Sequence, residues 1–106
     1  MGDFPKSMRP RPIRISAELR ELAPRFLAHR RGDVDRLREA IDRADFEAVR
    51  VIGHAMKGSG AAYGFDDITS LGDEIERHAK SGDAPALDAA VKGLTEYLDS
   101  VEVTFG

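Results

Sequence analysis

Cysteine is absent from the 106-residue chain, which excludes a disulfide framework, a thiolate nucleophile and a thiolate metal site. A domain this small without cross-links must be held by efficient packing, which helical bundles provide. No apolar run approaches the ~20 residues needed to span a bilayer. Residues 1–15 have no apolar core of the kind that opens an export signal. A reducing, cytoplasmic setting without membrane contact is expected. A strong charge excess is also missing: 16 Lys and Arg stand against 19 Asp and Glu, for a net charge of -3. A mildly acidic surface of mixed sign argues against nucleic acid as a partner. No segment alternates with period two over a useful length, and there is neither an internal repeat nor a low-complexity stretch. What remains is one small domain whose 42% hydrophobic content suffices for a single core.

Two parts are expected: an N-terminal arm over residues 1–15 and a helical domain over residues 16–106. Pro5, Pro10 and Pro12 block a regular helix start in the arm, and Lys6, Arg9, Arg11 and Arg14 make it basic. It reads as a loosely packed segment, with a docking tail as the sharper alternative. From Ser16, a possible N-cap, the periodicity is helical. Leu19, Leu22, Phe26 and Leu27 form an apolar stripe, in which Pro24 predicts a kink or restart. Gly32 and Asp33 interrupt, and Asp33 is placed to cap a second stretch burying Val34, Leu37, Ala40 and Ile41.

Asp45 reads as the cap of a helix from Phe46 to about Ala62, closed by Gly64 in the left-handed region. Asp66 or Asp67 begins the next, with Ile68, Leu71, Ile75 and Ala79 inward. Ser81-Gly82-Asp83 is a turn, and Pro85 suits the first turn of a last helix burying Leu87, Val91, Leu94, Tyr97, Leu98 and Val101. The fold class expected is all-α: an antiparallel four-helix bundle with an additional N-terminal helical segment.

The stretch from Phe46 to Gly64 is unusual for scaffold. Gly53, Gly58 and Gly60 each cost about 1 kcal/mol relative to alanine inside a helix. On a helical wheel Phe46, Val49, Ile52, Met56, Gly60 and Tyr63 form the core side, with Gly53 at its edge. Arg50, His54, Lys57, Gly58 and Ala61 gather opposite. His54, Lys57, Gly58 and Ala61 follow the i, i+3, i+4, i+7 spacing of one surface patch.

An imidazole on such a surface is a usable nucleophile near neutral pH without a buried base. A phosphoryl group placed on it adds negative charge, which Lys57 and Arg50 are placed to offset. Gly58 and Ala61 keep the surface low, so another protein can approach closely. Such a site admits a partner's active site rather than enclosing a small substrate.

His54-Ala-Met-Lys57-Gly58-Ser59 resembles the His-x-x-Lys-Gly-Ser/Ala signature of histidine-containing phosphotransfer (HPt) domains. The similarity continues through Gly64-Phe65, Ile68, Leu71 and Glu74 to Glu76, extends weakly to Asp45-Phe46-Glu47 and Leu37–Ile41, and covers most of residues 20–100. Gly53, Gly60 and Tyr63 depart from the commonest pattern. The resemblance implies a four-helix bundle in which His54 carries phosphate on Nε2, Lys57 assists electrostatically and Gly58 leaves room for a partner. That partner would be a response-regulator receiver domain, a hybrid histidine kinase or both. The receiver would supply Mg²⁺, so no cofactor is expected on this chain. No Gly-rich nucleotide loop follows a strand, so phosphoryl groups would arrive from another protein. The resemblance is to a free-standing member of the family, and nothing demands a dimer.

Other features read as scaffold. His78 and Glu74 share a face but lack a third ligand. His29, beside Arg30 and Arg31, reads as an exposed helix end. Gly58-Ser59-Gly60 with Gly64 matches neither a dinucleotide fingerprint nor a phosphate loop. Ser59 has no base partner at a reliable spacing. Two rivals to phosphotransfer remain. One is a binding module that docks and regulates a receiver or kinase without being phosphorylated. The other is a small hydrolase using His54 as base, which lacks both an orienting carboxylate at a clear spacing and a pocket.

Overall fold

The structure is a computed structural model and describes residues 12–106. Its helices are α1 (Leu22–Asp42), α2 (Phe46–Gly60), α3 (Asp66–Lys80) and α4 (Ala84–Ser100). They are flanked by two short strands, β1 (Pro12–Ile15) and β2 (Glu102–Phe105). Short connections at Arg43–Asp45, Ala61–Phe65 and Ser81–Asp83 force consecutive helices to run antiparallel. α4 packs back on α1 and closes the bundle. The all-α four-helix bundle is therefore the fold observed. No helix among the described residues is long and apolar enough to cross a membrane.

Local chemistry starts and stops the helices as expected from α2 onward, except that Val101, expected buried in the last helix, is its extended C-cap and only half-buried. The Asp45 carboxylate accepts from the Ala48 amide at 3.1 Å, and Asp83 does the same for Ala86. Each satisfies a donor that the first turn leaves orphaned. Pro85 lies in the first turn of α4. After α2 a 3₁₀ turn over Ala61–Tyr63 leads to Gly64, whose φ of +87° is a left-handed conformation that L side chains rarely adopt.

The N-terminal half departs from expectation. α1 runs unbroken through Gly32 and Asp33. Its buried positions, Ala23, Phe26, Asp33, Leu37 and Ala40, continue one stripe across the expected break. Asp33 is not a cap. Its carboxylate is buried in that stripe and pairs sideways with Arg30 at 2.8 Å and with Arg36. Pro24 neither kinks nor restarts the helix. It is the third residue of α1, where an amide has no intrahelical acceptor to lose. The expected additional N-terminal segment reduces to a 3₁₀ turn over Ala17–Leu19, capped by the Ser16 hydroxyl. Leu22, expected in the apolar stripe, is exposed, and Ala23 takes the buried position.

Pro12–Ile15 belong on sequence to the arm, but in the structure they are part of the fold. β1 pairs in parallel with β2, Ile13 opposite Val103 and Ile15 opposite Phe105. Ile15 is buried against Gly64 in the α2–α3 connection. Four residues are too few for alternation to register, and the partner strand lies at the other end of the chain. The expectations for residues 1–11, an arm or basic docking tail, fall outside the described residues.

Val49, Met56, Phe65, Ile68, Ile75, Leu87, Leu94 and Leu37 form the centre of the core. At the end where α1 starts and α2 stops, Phe26 stacks between Tyr63 at 4.7 Å and Phe65 at 5.2 Å.

Candidate functional site

α2 and α3 approach closely because glycines face each other. A Cβ on Gly72 would fall 2.7 Å from the Gly53 carbonyl oxygen and 2.5 Å from the Lys57 amide nitrogen. A Cβ on Gly53 would fall 2.8 Å from the Glu76 amide nitrogen. Neither position can hold a side chain without moving backbone. The Gly53 expense is thus explained by packing. It also brings the residue after it, His54, beside the residue one turn after Gly72, which is Glu76.

His54 lies mid-helix with its side chain 69% exposed. Its Nδ1 is 3.0 Å from Oε2 of Glu76, whose side chain is only 8% exposed. Burial pushes the Glu76 carboxyl up, but the hydrogen bond from His54 and the nearby charges of Lys80 and Lys57 outweigh it, and the pKa ends below the ordinary value. Glu76 is therefore an ionised carboxylate that can only accept. The contact places a hydrogen on Nδ1 and leaves Nε2, at the opposite edge of the ring, with a free lone pair.

Lys57 stands beside this pair, with Nζ 3.0 Å from Asp73 Oδ1 and 3.6 Å from Glu76 Oε1. Its pKa is raised, first by the hydrogen bond to Asp73 and then by that carboxylate's charge. Arg50 is on the same face, but its guanidinium is committed to Glu47, in two parallel bonds of 2.8 and 2.7 Å. Around Gly58 an added Cβ would meet nothing within 4 Å. Ala61 is exposed, and its amide donates to Thr69 Oγ1 at 2.7 Å. Thr69 in turn donates to the Lys57 carbonyl at 3.1 Å and so ties the end of α2 to α3. His54, Lys57, Gly58 and Ala61 do share one open surface, whereas Arg50 is engaged elsewhere.

Glu76 is the residue that spacing along α2 did not reveal. It comes from the neighbouring helix, so no local pattern links it to His54. A signal existed: Glu76 is a charged residue within the α3 stripe of Ile68, Leu71, Gly72, Ile75 and Ala79, all buried. No orienting carboxylate stands at a clear sequence spacing from His54; the fold supplies one from the neighbouring helix.

The remaining candidates fall into structural places. Ser59 accepts a hydrogen bond from Arg30 at 2.9 Å, which links α2 to α1. His29 is exposed but lies within α1, not at a helix end. Together with Leu22, Arg25, Phe26, Arg30, Ser59 and Tyr63 it lines a cleft of about 300 Å³ that His54 does not border. Among the described residues no group of three or more His, Asp or Glu side chains could hold a metal ion.

A protein-family model for the Hpt domain matches residues 21–104. The chain belongs to the Hpt domain family. No curated protein and no solved structure matches it. Hpt domains serve phosphotransfer in two-component signalling and interact there with receiver domains and kinases. The match begins just before α1 and ends within β2, so it takes in all four helices of this Hpt domain.

Proposed function

We propose that His54 is the phosphoryl carrier of this Hpt domain, exchanging a phosphoryl group between its Nε2 and an aspartate of a response-regulator receiver. The observation that carries this reading is a mostly exposed imidazole whose Nδ1 is held by a buried, ionised Glu76. The arrangement favours the tautomer with its lone pair on Nε2. In the forward step the Nε2–P bond forms as the aspartyl O–P bond breaks, and the electron pair of that bond stays on the aspartate. The ring becomes cationic and keeps its Nδ1 hydrogen. Glu76 opposes the new positive charge across the existing hydrogen bond, as a carboxylate does for a triad histidine. The reverse step returns the ring to neutrality.

Lys57 offsets the phosphoryl charge, Arg50 contributes little net charge while paired with Glu47, and Gly58 and Ala61 form the floor on which the receiver sits. The receiver brings Mg²⁺ and most of the catalytic groups. The chain needs no ATP site of its own, because its phosphoryl group comes from another protein such as a hybrid histidine kinase.

The test is incubation with phosphorylated receiver domains and tracking of labelled phosphate. Label should move to this chain in a form stable to alkali and labile to acid, and His54→Gln should abolish it. Transfer that survives the substitution would sink the proposal. Receiver binding unchanged by His54→Ala, with no phosphorylated species by mass spectrometry, would instead establish a docking module.

A further inference from the structure

We infer that Asp73 is a positioning residue that parks the Lys57 ammonium away from the phosphoryl site at rest and releases it when a phosphoryl group arrives. This rests on His54 being the phosphoryl carrier.

Asp73 lies one turn before Glu76 on α3. Its Oδ1 is 3.0 Å from Lys57 Nζ, and its Oδ2 is 3.0 Å from Arg77 Nε. Glu76 divides its two oxygens: Oε1 is 3.6 Å from Lys57 Nζ, while Oε2 is on Nδ1 of His54. The ammonium is thus held between two carboxylates, one of which, Glu76, meets the Nδ1 edge of the ring with its other oxygen. A phosphoryl group on Nε2 would lie at the opposite edge. In the proposed cycle Lys57 exchanges its contact with Asp73 for one with that group.

Leaving is easy, for four reasons. The Lys57 and Asp73 side chains are 45% and 38% exposed, and ion pairs at such positions are weak. Asp73 keeps a cation after Lys57 departs, because Arg77 remains on its other oxygen. Glu76 keeps Lys80, 3.9 Å from Oε2. A phosphoryl group, with its larger charge and three acceptor oxygens, is the stronger partner for an ammonium. The flexible four-carbon lysine stem lets the ammonium change partners by rotation about its own bonds. Asp73 and Lys57 also shift each other's titration, the carboxyl downward and the amine upward, so the pair stays ionised around neutral pH. The result is a two-position charge that follows the phosphoryl group without movement of the backbone. At rest it restrains the reaction, since the cation is withheld from the incoming group.

The experiment loads His54 from potassium phosphoramidate. The donor P–N bond breaks as the Nε2–P bond forms, and ammonia leaves. Initial loading rates are compared for the unaltered chain, Asp73→Asn, Asp73→Glu, Lys57→Ala and the double variant Asp73→Asn with Lys57→Ala. Asp73→Asn should load about two- to fivefold faster, the factor an exposed ion pair commands. Asp73→Glu keeps a carboxylate for Lys57 and should load at the original rate. The double variant should match Lys57→Ala alone, because the gain acts only through the lysine. An unchanged or slower rate in Asp73→Asn overturns the inference. So does a gain that persists without Lys57, since that would reflect lost negative charge alone. If the unaltered chain takes no phosphoryl group on His54, the carrier reading itself falls. If it loads normally and Asp73→Asn shows no gain, only the role of Asp73 falls.

Discussion

Glu76→Gln keeps the side chain's size and removes the charge that fixes the His54 ring. An amide can donate as well as accept, so the hydrogen is no longer confined to Nδ1. Phosphotransfer should slow by about tenfold, the lower end of what losing a histidine's hydrogen-bond partner costs at metal sites. ¹⁵N spectra of the imidazole should show a mixed tautomer population in the variant and the Nδ1–H form in the parent. At Gly58 the expected outcome is different. An added Cβ meets open space, so Gly58→Leu should leave the melting temperature within a few degrees. It should nevertheless prevent transfer from a receiver, because the leucine occupies the surface the partner needs. Loading of His54 by phosphoramidate should survive, which separates docking from chemistry.

The site depends on how two elements meet rather than on one helix. Gly53 and Gly72 set the separation of α2 and α3, and that separation lets Glu76 reach His54. Gly72→Ala places a methyl group 2.5 to 2.9 Å from the Lys57 amide, the Gly53 carbonyl and the Met56 Cβ. The helices must part, at a cost of about 1–3 kcal/mol in overpacking. Urea denaturation should show the loss, and Nδ1 of His54 should lose its carboxylate partner in the same variant. α1 shows the opposite relation between residue and element. Gly32 and Asp33 look like a helix stop. A glycine costs only about 1 kcal/mol, and the continuous core stripe on both sides outweighs it.

At the scale of the whole molecule, the ion pairs around the site give stability a definite pH dependence. The hydrogen bond from Arg50 holds Glu47 below its ordinary value of 4.5. Lys57, then Arg77, hold Asp73 below 3.8. Glu76 also ends below 4.5, since its cations and His54 outweigh burial. Each carboxyl binds protons more weakly folded than unfolded. Its contribution is therefore complete above the ordinary carboxylate values and is lost as pH falls through the depressed ones. Lys57 acts in the opposite sense: raised above 10.5, its contribution is full below that value and lost only at higher pH. Urea midpoints measured from neutral pH into the acid range should fall below about pH 4.5, and Asp73→Asn should flatten part of that fall. The chain ends matter at this scale too. β1 and β2 join residues 12–15 to residues 102–105, which closes the end of the bundle where Ile15 packs under Gly64.

The amino-acid order by itself determined the local features. Asp45, Gly64, Asp83 and Pro85 mark helix boundaries because capping and turn chemistry act over a few residues. The wheel of α2 put His54 outside and Val49 and Met56 inside because helical periodicity is local as well. Interactions between elements were decided only in the tertiary structure. Glu76 meets His54 across 22 positions of sequence, at a distance set by two glycines on different helices. Lys57 finds Asp73, and Arg50 turns to Glu47, because ion pairs form with whatever carboxylate the packing brings within reach. The β1–β2 ribbon arises for the same reason: strands this short are stabilised by their partner and the core beneath them, and neither is written in four consecutive residues.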